Sequence, residues 1–271
     1  MKIALTIAGS DSGGGAGIQA DLKTFHQFGV FGTSVVVALT AQNTRGVLAA
    51  QPVPDTMVSA QLDALAGDLP PDALKTGMLA EAGLVRLVAA AVRANGWRPL
   101  VVDPVMVSTS GHALLTAEAA HTLRDELLPL AALVTPNLDE AAALTGHAVE
   151  DVAAMERAGA DLLALGARAA LVKGGHLAGD VVTDVLVTST GVRRFTAPRH
   201  GRRPLHGTGC TLSAAITAGL ALGRDLETAV ADGLDFVRRA IASAPGLGSG
   251  ATPLDHTVPP RTPRSAGPAE Q

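Results

Sequence analysis

Short apolar runs alternate with amphipathic stretches along most of this chain. Residues 3–8, Ile-Ala-Leu-Thr-Ile-Ala, form an apolar-rich run of strand length, and Ile18, Leu22, Phe25 and Phe28 then recur at helical spacing. Between them lies Gly9-Ser10-Asp11-Ser12-Gly13-Gly14-Gly15-Ala16-Gly17. Strand, glycine loop and helix in that order open a βαβ unit. The alternation continues, predicting strands over 33–41, 73–76, 100–102, 132–135 and 169–172, and helices over 55–66, 82–94, 116–128 and 152–165. Residues 181–187 and 192–196 flank Thr190-Gly191 and predict a hairpin. Helices over 209–222 and 225–243 follow. This pattern predicts one α/β domain: a doubly wound, mostly parallel sheet with helices on both faces. After Ser243 the chain turns rich in Gly, Pro, Ser and Thr, so the domain is expected to span 1–256 and 257–271 to be a disordered tail.

Two glycine loops stand out against this frame. In His206-Gly207-Thr208-Gly209-Cys210 the second loop runs into a helix, whose first N–H groups point outward and suit an anion. Cys210 opens that helix, where a thiol is expected to have a lowered pKa. The first loop fits the dinucleotide fingerprint only in part. Gly13 and Gly15 match, position 18 is Ile, and the next strand ends without a ribose-binding acid, which argues against a dehydrogenase. Other polar residues stand at predicted strand exits: Gln42, Asp103 and Lys173. Asn137 and Glu140, three apart at a helix start, read equally as a capping box. Asp21, one turn into its helix, reads as a solvated first-turn acid favoured by the helix dipole.

Composition narrows the class. With 47% hydrophobic and 17% charged residues the chain is globular, and its net charge of −4 leaves no footprint for nucleic acid. A single cysteine excludes an internal disulfide and fits a reducing compartment. No apolar run reaches membrane-spanning length, so a cytoplasmic protein without a membrane partner is expected.

Seven stretches, in order, resemble the ribokinase-like superfamily and, within it, the hydroxymethylpyrimidine/phosphomethylpyrimidine kinases of thiamin biosynthesis. They are residues 8–24, Ala41-Gln42-Asn43-Thr44, Lys75-Thr76-Gly77-Met78-Leu79, Val102-Asp103-Pro104-Val105-Met106, Thr135-Pro136-Asn137-Leu138-Asp139-Glu140-Ala141, Lys173-Gly174-Gly175-His176 and His206-Gly207-Thr208-Gly209-Cys210-Thr211. The resemblance implies an ATP-dependent, Mg²⁺-requiring kinase acting on a small aminopyrimidine, expected as a homodimer. It makes Gly207, Thr208 and Gly209 an anion hole and Cys210 the acceptor of the substrate hydroxyl proton. Asn137, Lys173 and Thr208 would bind the nucleotide, and Asp103 and Glu140 the metal. Gln42, Asp21, Gly9, Met78 and Val105 would form the ring pocket. Where the family has small polar residues ahead of the second loop, this chain has Arg202-Arg203-Pro204-Leu205. Two rivals remain: a pyridoxal kinase, and a pyrimidine-binding protein without catalysis. A cysteine hydrolase is disfavoured because His206 lies across a glycine loop from Cys210.

Overall fold

A computed structural model describes residues 1–106, 115–199 and 204–261. The strands are β1 (Ile3–Gly9), β2 (Phe31–Asn43), β3 (Gly46–Pro52), β4 (Ala73–Thr76), β5 (Leu100–Val102), β6 (Leu133–Val134), β7 (Ala169–Val172), β8 (Val181–Thr188), β9 (Gly191–Pro198), β10 (Leu205–His206) and β11 (Thr252–Pro253). The α-helices are α1 (Gly17–Gln27), α2 (Asp55–Asp68), α3 (Ala82–Asn95), α4 (Ala117–Thr122), α5 (Leu138–Thr145), α6 (Val152–Ala164), α7 (Thr208–Ala221) and α8 (Leu226–Ala242).

Nine strands form one sheet in the order β3-β2-β1-β4-β5-β6-β7-β8-β9. From β2 through β7 every pairing is parallel, and β3, β8 and β9 add antiparallel edges. This is the ribokinase-like doubly wound arrangement. The chain leaves β1 for β2 on one side and returns to β4 on the other, so β1 marks a switch point, where such sheets leave a crevice beyond the carboxyl ends of their strands. Side chains alternate across the sheet. Leu5, Ile7 and Leu74 face α2 and α3, while Ala4 and Ala73 face α1 and α7. Small residues on that second face let α7 approach closely. The helix is buried nearly all round, which suits its continuous apolar sequence.

Besides the short unpredicted pair β10–β11, the observed elements depart from the expected ones at three places. The second strand continues to Asn43 and pairs with β3, an exposed strand that lacks a clean period of two and went unpredicted. The helix expected over 116–128 is α4, followed by a π-turn at Leu123–Leu127 and a 3₁₀ turn at Leu128–Leu130, the latter holding Pro129. The domain boundary expected at 256 falls inside a docked segment. His256 is buried and bonds Thr211 (2.9 Å), Gln27 donates to the carbonyl of Thr257 (3.1 Å), and Arg261 pairs with Asp235 (3.3 Å). Ordering 257–261 is therefore offset by contacts with α1 and α8; the rest of the expected tail lies outside the described residues. Among the described residues, no helix is long and apolar enough to cross a membrane.

Candidate active site

A cavity of about 810 Å³ lies beyond the carboxyl ends of the parallel strands. One end of it is built at the start of α7. Gly207 caps the helix at φ +85°, and a Cβ there would sit 1.8 Å from the carbonyl oxygen of Gly15, so only glycine fits. Thr211 makes the first helical bond, to Gly207 (2.9 Å). The N–H groups of Thr208, Gly209 and Cys210 precede that bond and belong to residues that line the cavity. That geometry suits an anion.

Beside it stands a charged cluster. The carboxylate of Asp103, 1% exposed, accepts from Lys173 Nζ (3.1 Å), Thr135 Oγ1 (3.3 Å) and Ser213 Oγ (3.2 Å). Glu140 Oε2 lies 3.9 Å from the same Nζ. Burial alone would lower the lysine pKa, but Asp103 and Glu140 outweigh it and hold the ammonium above its ordinary range. Burial pushes the Glu140 carboxyl up, with Lys173 opposing. Asn137 and Glu140 do form a capping box, with bonds of 2.9 and 2.8 Å, so the box and the approach to Lys173 coexist in one side chain. Lys173 is brought there because its N–H bonds Pro136 (2.8 Å), tying the end of β7 to the turn before α5.

The other end is narrower in chemistry. Gly9 leaves room for Met78, whose Cε lies 2.9 Å from where a Cβ on Gly9 would be. Val105 and Gln42 complete this part of the wall. Opposite Gln42 the register skips Leu48, so the extra residue of this irregularity lies on β3.

Two expectations are corrected. Asp21 is neither solvated nor part of the cavity lining. It is fully buried, accepting from Lys75 Nζ (2.8 Å) and Thr6 Oγ1 (2.6 Å), because Thr6 and Lys75 project from β1 and β4 toward α1. The thiol of Cys210 is not shifted down. Burial pushes it up to about 11, with Asp21 and Asp103 adding to the rise and Lys75 opposing it. The helix N-terminus does not offset that desolvation.

Sequence reasoning missed Asp11, whose carboxylate accepts from the N–H groups of Gly13, Gly15 and Ala16 (2.8, 2.9 and 2.8 Å). An acid two residues before a glycine run is an Asx-type signal that could have found it. His206, weighed in the sequence only as a hydrolase partner and set aside, also stands at the site. Its Nε2 lies 2.9 Å from Asp11 Oδ2 and 2.8 Å from Gln42 Nε2, which directs the ring away from any hydrolase pairing with Cys210. Arg199 donates to the carbonyls of Gly175, Leu177 and Gly179, shaping the turn after Lys173. Arg202 and Arg203 lie outside the described residues.

The fold, the helix start open to the cavity and the lysine–carboxylate cluster are those of a ribokinase-like phosphotransferase, the class to which the comparisons assign the chain. Residues 11–255 match the model of the phosphomethylpyrimidine kinase family, and the chain belongs to that family. It is 52% identical to the hydroxymethylpyrimidine/phosphomethylpyrimidine kinase of Rhizobium meliloti, over 94% of this chain and 96% of the relative. The Streptomyces coelicolor kinase of the same name is 49% identical, over 94% of each chain. Among solved structures, a Bacillus subtilis pyridoxal kinase in an ADP complex superposes with a TM-score of 0.89 at 36% identity, over 95% of this chain and 98% of its own. A phosphomethylpyrimidine kinase from Clostridium difficile gives 0.80 at 42%, over 89% and 100%.

Proposed function

We propose that this protein transfers the γ-phosphoryl group of ATP to the hydroxymethyl group of 4-amino-5-hydroxymethyl-2-methylpyrimidine, and then phosphorylates the monophosphate to the diphosphate, in thiamin biosynthesis. The observation that carries this is one cavity joining a ring-sized pocket at Gln42 and Met78 to an anion site at Gly207–Cys210 flanked by Lys173. Phosphoryl transfer asks mainly for positioning and charge stabilisation. The ring pocket aims the hydroxymethyl oxygen at the phosphoryl group, the N–H groups opening α7 receive its equatorial oxygens, and Lys173 supplies a point charge. Asn137 holds the Glu140 turn that faces the phosphates.

Mg²⁺ belongs to this reading. Asp103 and Glu140 are two buried carboxylates at the cavity edge, and every Asp103 oxygen already accepts a protein donor. Such a pair fits a cation that keeps most of its waters and meets the protein through them. When bound, the ion neutralises phosphate charge.

Cys210 is the proposed acceptor of the substrate hydroxyl proton. Its thiol is protonated near neutral pH in the free site, so it must ionise before it can accept. Self-association completes the reading: Leu39 and Leu48, 54% and 77% exposed on β2 and β3, offer an apolar edge for a homodimer.

The test is ADP release with hydroxymethylpyrimidine, its monophosphate and pyridoxine in parallel. The pyrimidines are expected to have the higher kcat/KM. The likeness to pyridoxal kinases gives the second reading, which faster turnover of pyridoxine would support. Ligand binding without ADP release from any of the three would leave a non-catalytic binding protein.

A further inference from the structure

Three segments distant in sequence meet at one imidazole. His206 precedes Gly207, the cap of the anion-binding helix. Its Nε2 lies within hydrogen-bond reach of Asp11 Oδ2 on the first glycine loop and of Gln42 Nε2 at the ring pocket. Its strand β10 is held by β11, with His206 opposite Pro253. The ring also packs on Gly15, whose added Cβ would meet His206 Cδ2 at 2.8 Å.

One ring nitrogen offers either one proton or one lone pair. Asp11 and the Gln42 amide nitrogen therefore cannot both be satisfied at Nε2. Asp11 has the stronger claim. Burial would raise its carboxyl, but the His206 bond and the N–H groups of Ala16 and Gly13 outweigh burial and hold it below the usual range. It is an ionised acceptor, and charge-assisted bonds are the stronger ones. With the Nε2 proton committed to Asp11, the Gln42 NH₂ faces another donor. A ring nitrogen of the substrate offers this amide an acceptor without that competition.

Asp11 Oδ2 also receives Gly15 and Ala16 N–H, and Gly15 is the residue against which Gly207 is seated. Whatever moves His206 relative to Asp11 thus moves the cap of α7. We propose that His206 is a positioning residue that makes ring binding at Gln42 and phosphate binding at the Gly207–Cys210 helix start mutually dependent. A ring that takes the Gln42 amide removes the competing donor from His206. The His206–Asp11 bond then holds the helix cap in its anion-binding form. This rests on Gln42 being the ring-binding residue of the proposed kinase.

Calorimetry tests it. The affinity of the non-transferable analogue AMP-PCP is measured with and without saturating hydroxymethylpyrimidine. In the unaltered protein the pyrimidine is expected to tighten AMP-PCP by on the order of fivefold or more, a usual size for site-to-site coupling. His206→Leu is expected to bring that ratio to about one while either ligand alone still binds. His206→Gln, which keeps a donor near Nε2, is expected to restore part of it. Melting temperatures of both variants check that they fold. Should His206→Leu melt early, Asp11→Asn replaces it, with the same expected loss of coupling. A ratio near one in the unaltered protein, or a ratio unchanged in the folded His206→Leu or Asp11→Asn variants, overturns the proposal. Steady-state turnover separates the two failures. Normal pyrimidine turnover without coupling leaves the kinase assignment standing. No pyrimidine binding or turnover in the unaltered protein overturns both.

Discussion

Among the described residues, two lysine–carboxylate assemblies are buried in the body of the fold, and their difference separates structure from chemistry. Lys75 and Asp21 meet beneath the cavity with both side chains at 0% exposure, and Thr6 takes the remaining carboxylate oxygen. Lys173 meets Asp103 and approaches Glu140 at the cavity wall, with 15% of its side chain exposed. The first assembly is closed, every charge matched one to one. The second has one cation for two carboxylates and an opening through which phosphates and a metal can complete it. Desolvation acts on both, but only the second keeps room for a ligand to change its balance.

Breaking the closed pair should have the largest effect. Lys75→Met leaves Asp21 buried without its partner, which costs about 3–5 kcal/mol of stability. The double change with Asp21→Leu should recover much of that loss in denaturant melts. A stable Lys75→Met protein with lost activity would instead move Lys75 into the chemistry.

The open assembly should behave in the opposite way. Lys173→Met removes the charge proposed to face the transferring group, so kcat should fall by on the order of 10²–10³. The midpoint of unfolding should change far less than in Lys75→Met, because Lys173 has an outlet to solvent. Equal losses of stability in the two variants would erase the distinction.

Cys210 lies between the two assemblies and sharpens the comparison through pH. Its folded thiol holds its proton to about 11, against 9.0 for an ordinary thiol. Folding therefore takes up a proton between those values, and stability should decline as pH rises across that window. Cys210→Ala should lose the decline. As a proton acceptor, Cys210 also requires kcat to rise with pH above neutrality. The alanine variant should be slower by on the order of 10² and flat. A flat profile in the unaltered protein would assign the catalysis to the helix start alone.

Glu140→Gln should have the smallest effect on the fold. Glutamine can keep the capping box, so stability should change by less than about 1 kcal/mol. The Mg²⁺ concentration for half-maximal rate should rise several-fold. A fall in stability with unchanged Mg²⁺ dependence would reduce Glu140 to a cap.

The parallel strands and their helices were legible because buried strands read as continuous apolar runs and helices carry one apolar face. Strand β3 was not, since Gly-Val-Leu-Ala-Ala-Gln-Pro at the edge has neither signature. Most proposed site residues could be placed at strand exits, because a doubly wound sheet puts its crevice there. Asp21 could not be. A carboxylate one turn into a helix looks the same in sequence whether it meets water or a lysine from another strand, and only the register of Thr6 and Lys75 decides. The Cys210 thiol was misjudged for a related reason. The helix start is local and visible in sequence, whereas desolvation comes from elements far along the chain.

Helix α7 packs against α1, β1, β4 and β5, which gives the site a history as well as a shape. The first glycine loop leaves the ribosome about two hundred residues before the second. At the usual 5–20 residues per second, roughly 10–40 s pass in which α1 alone covers that face of β1 and α7 is still missing. During that interval the nascent chain carries an incompletely covered apolar face and lacks the helix start that would complete the proposed anion site. The enzyme is thus assembled by its last long helices, and a chain interrupted before them is a client for disposal rather than a slower kinase.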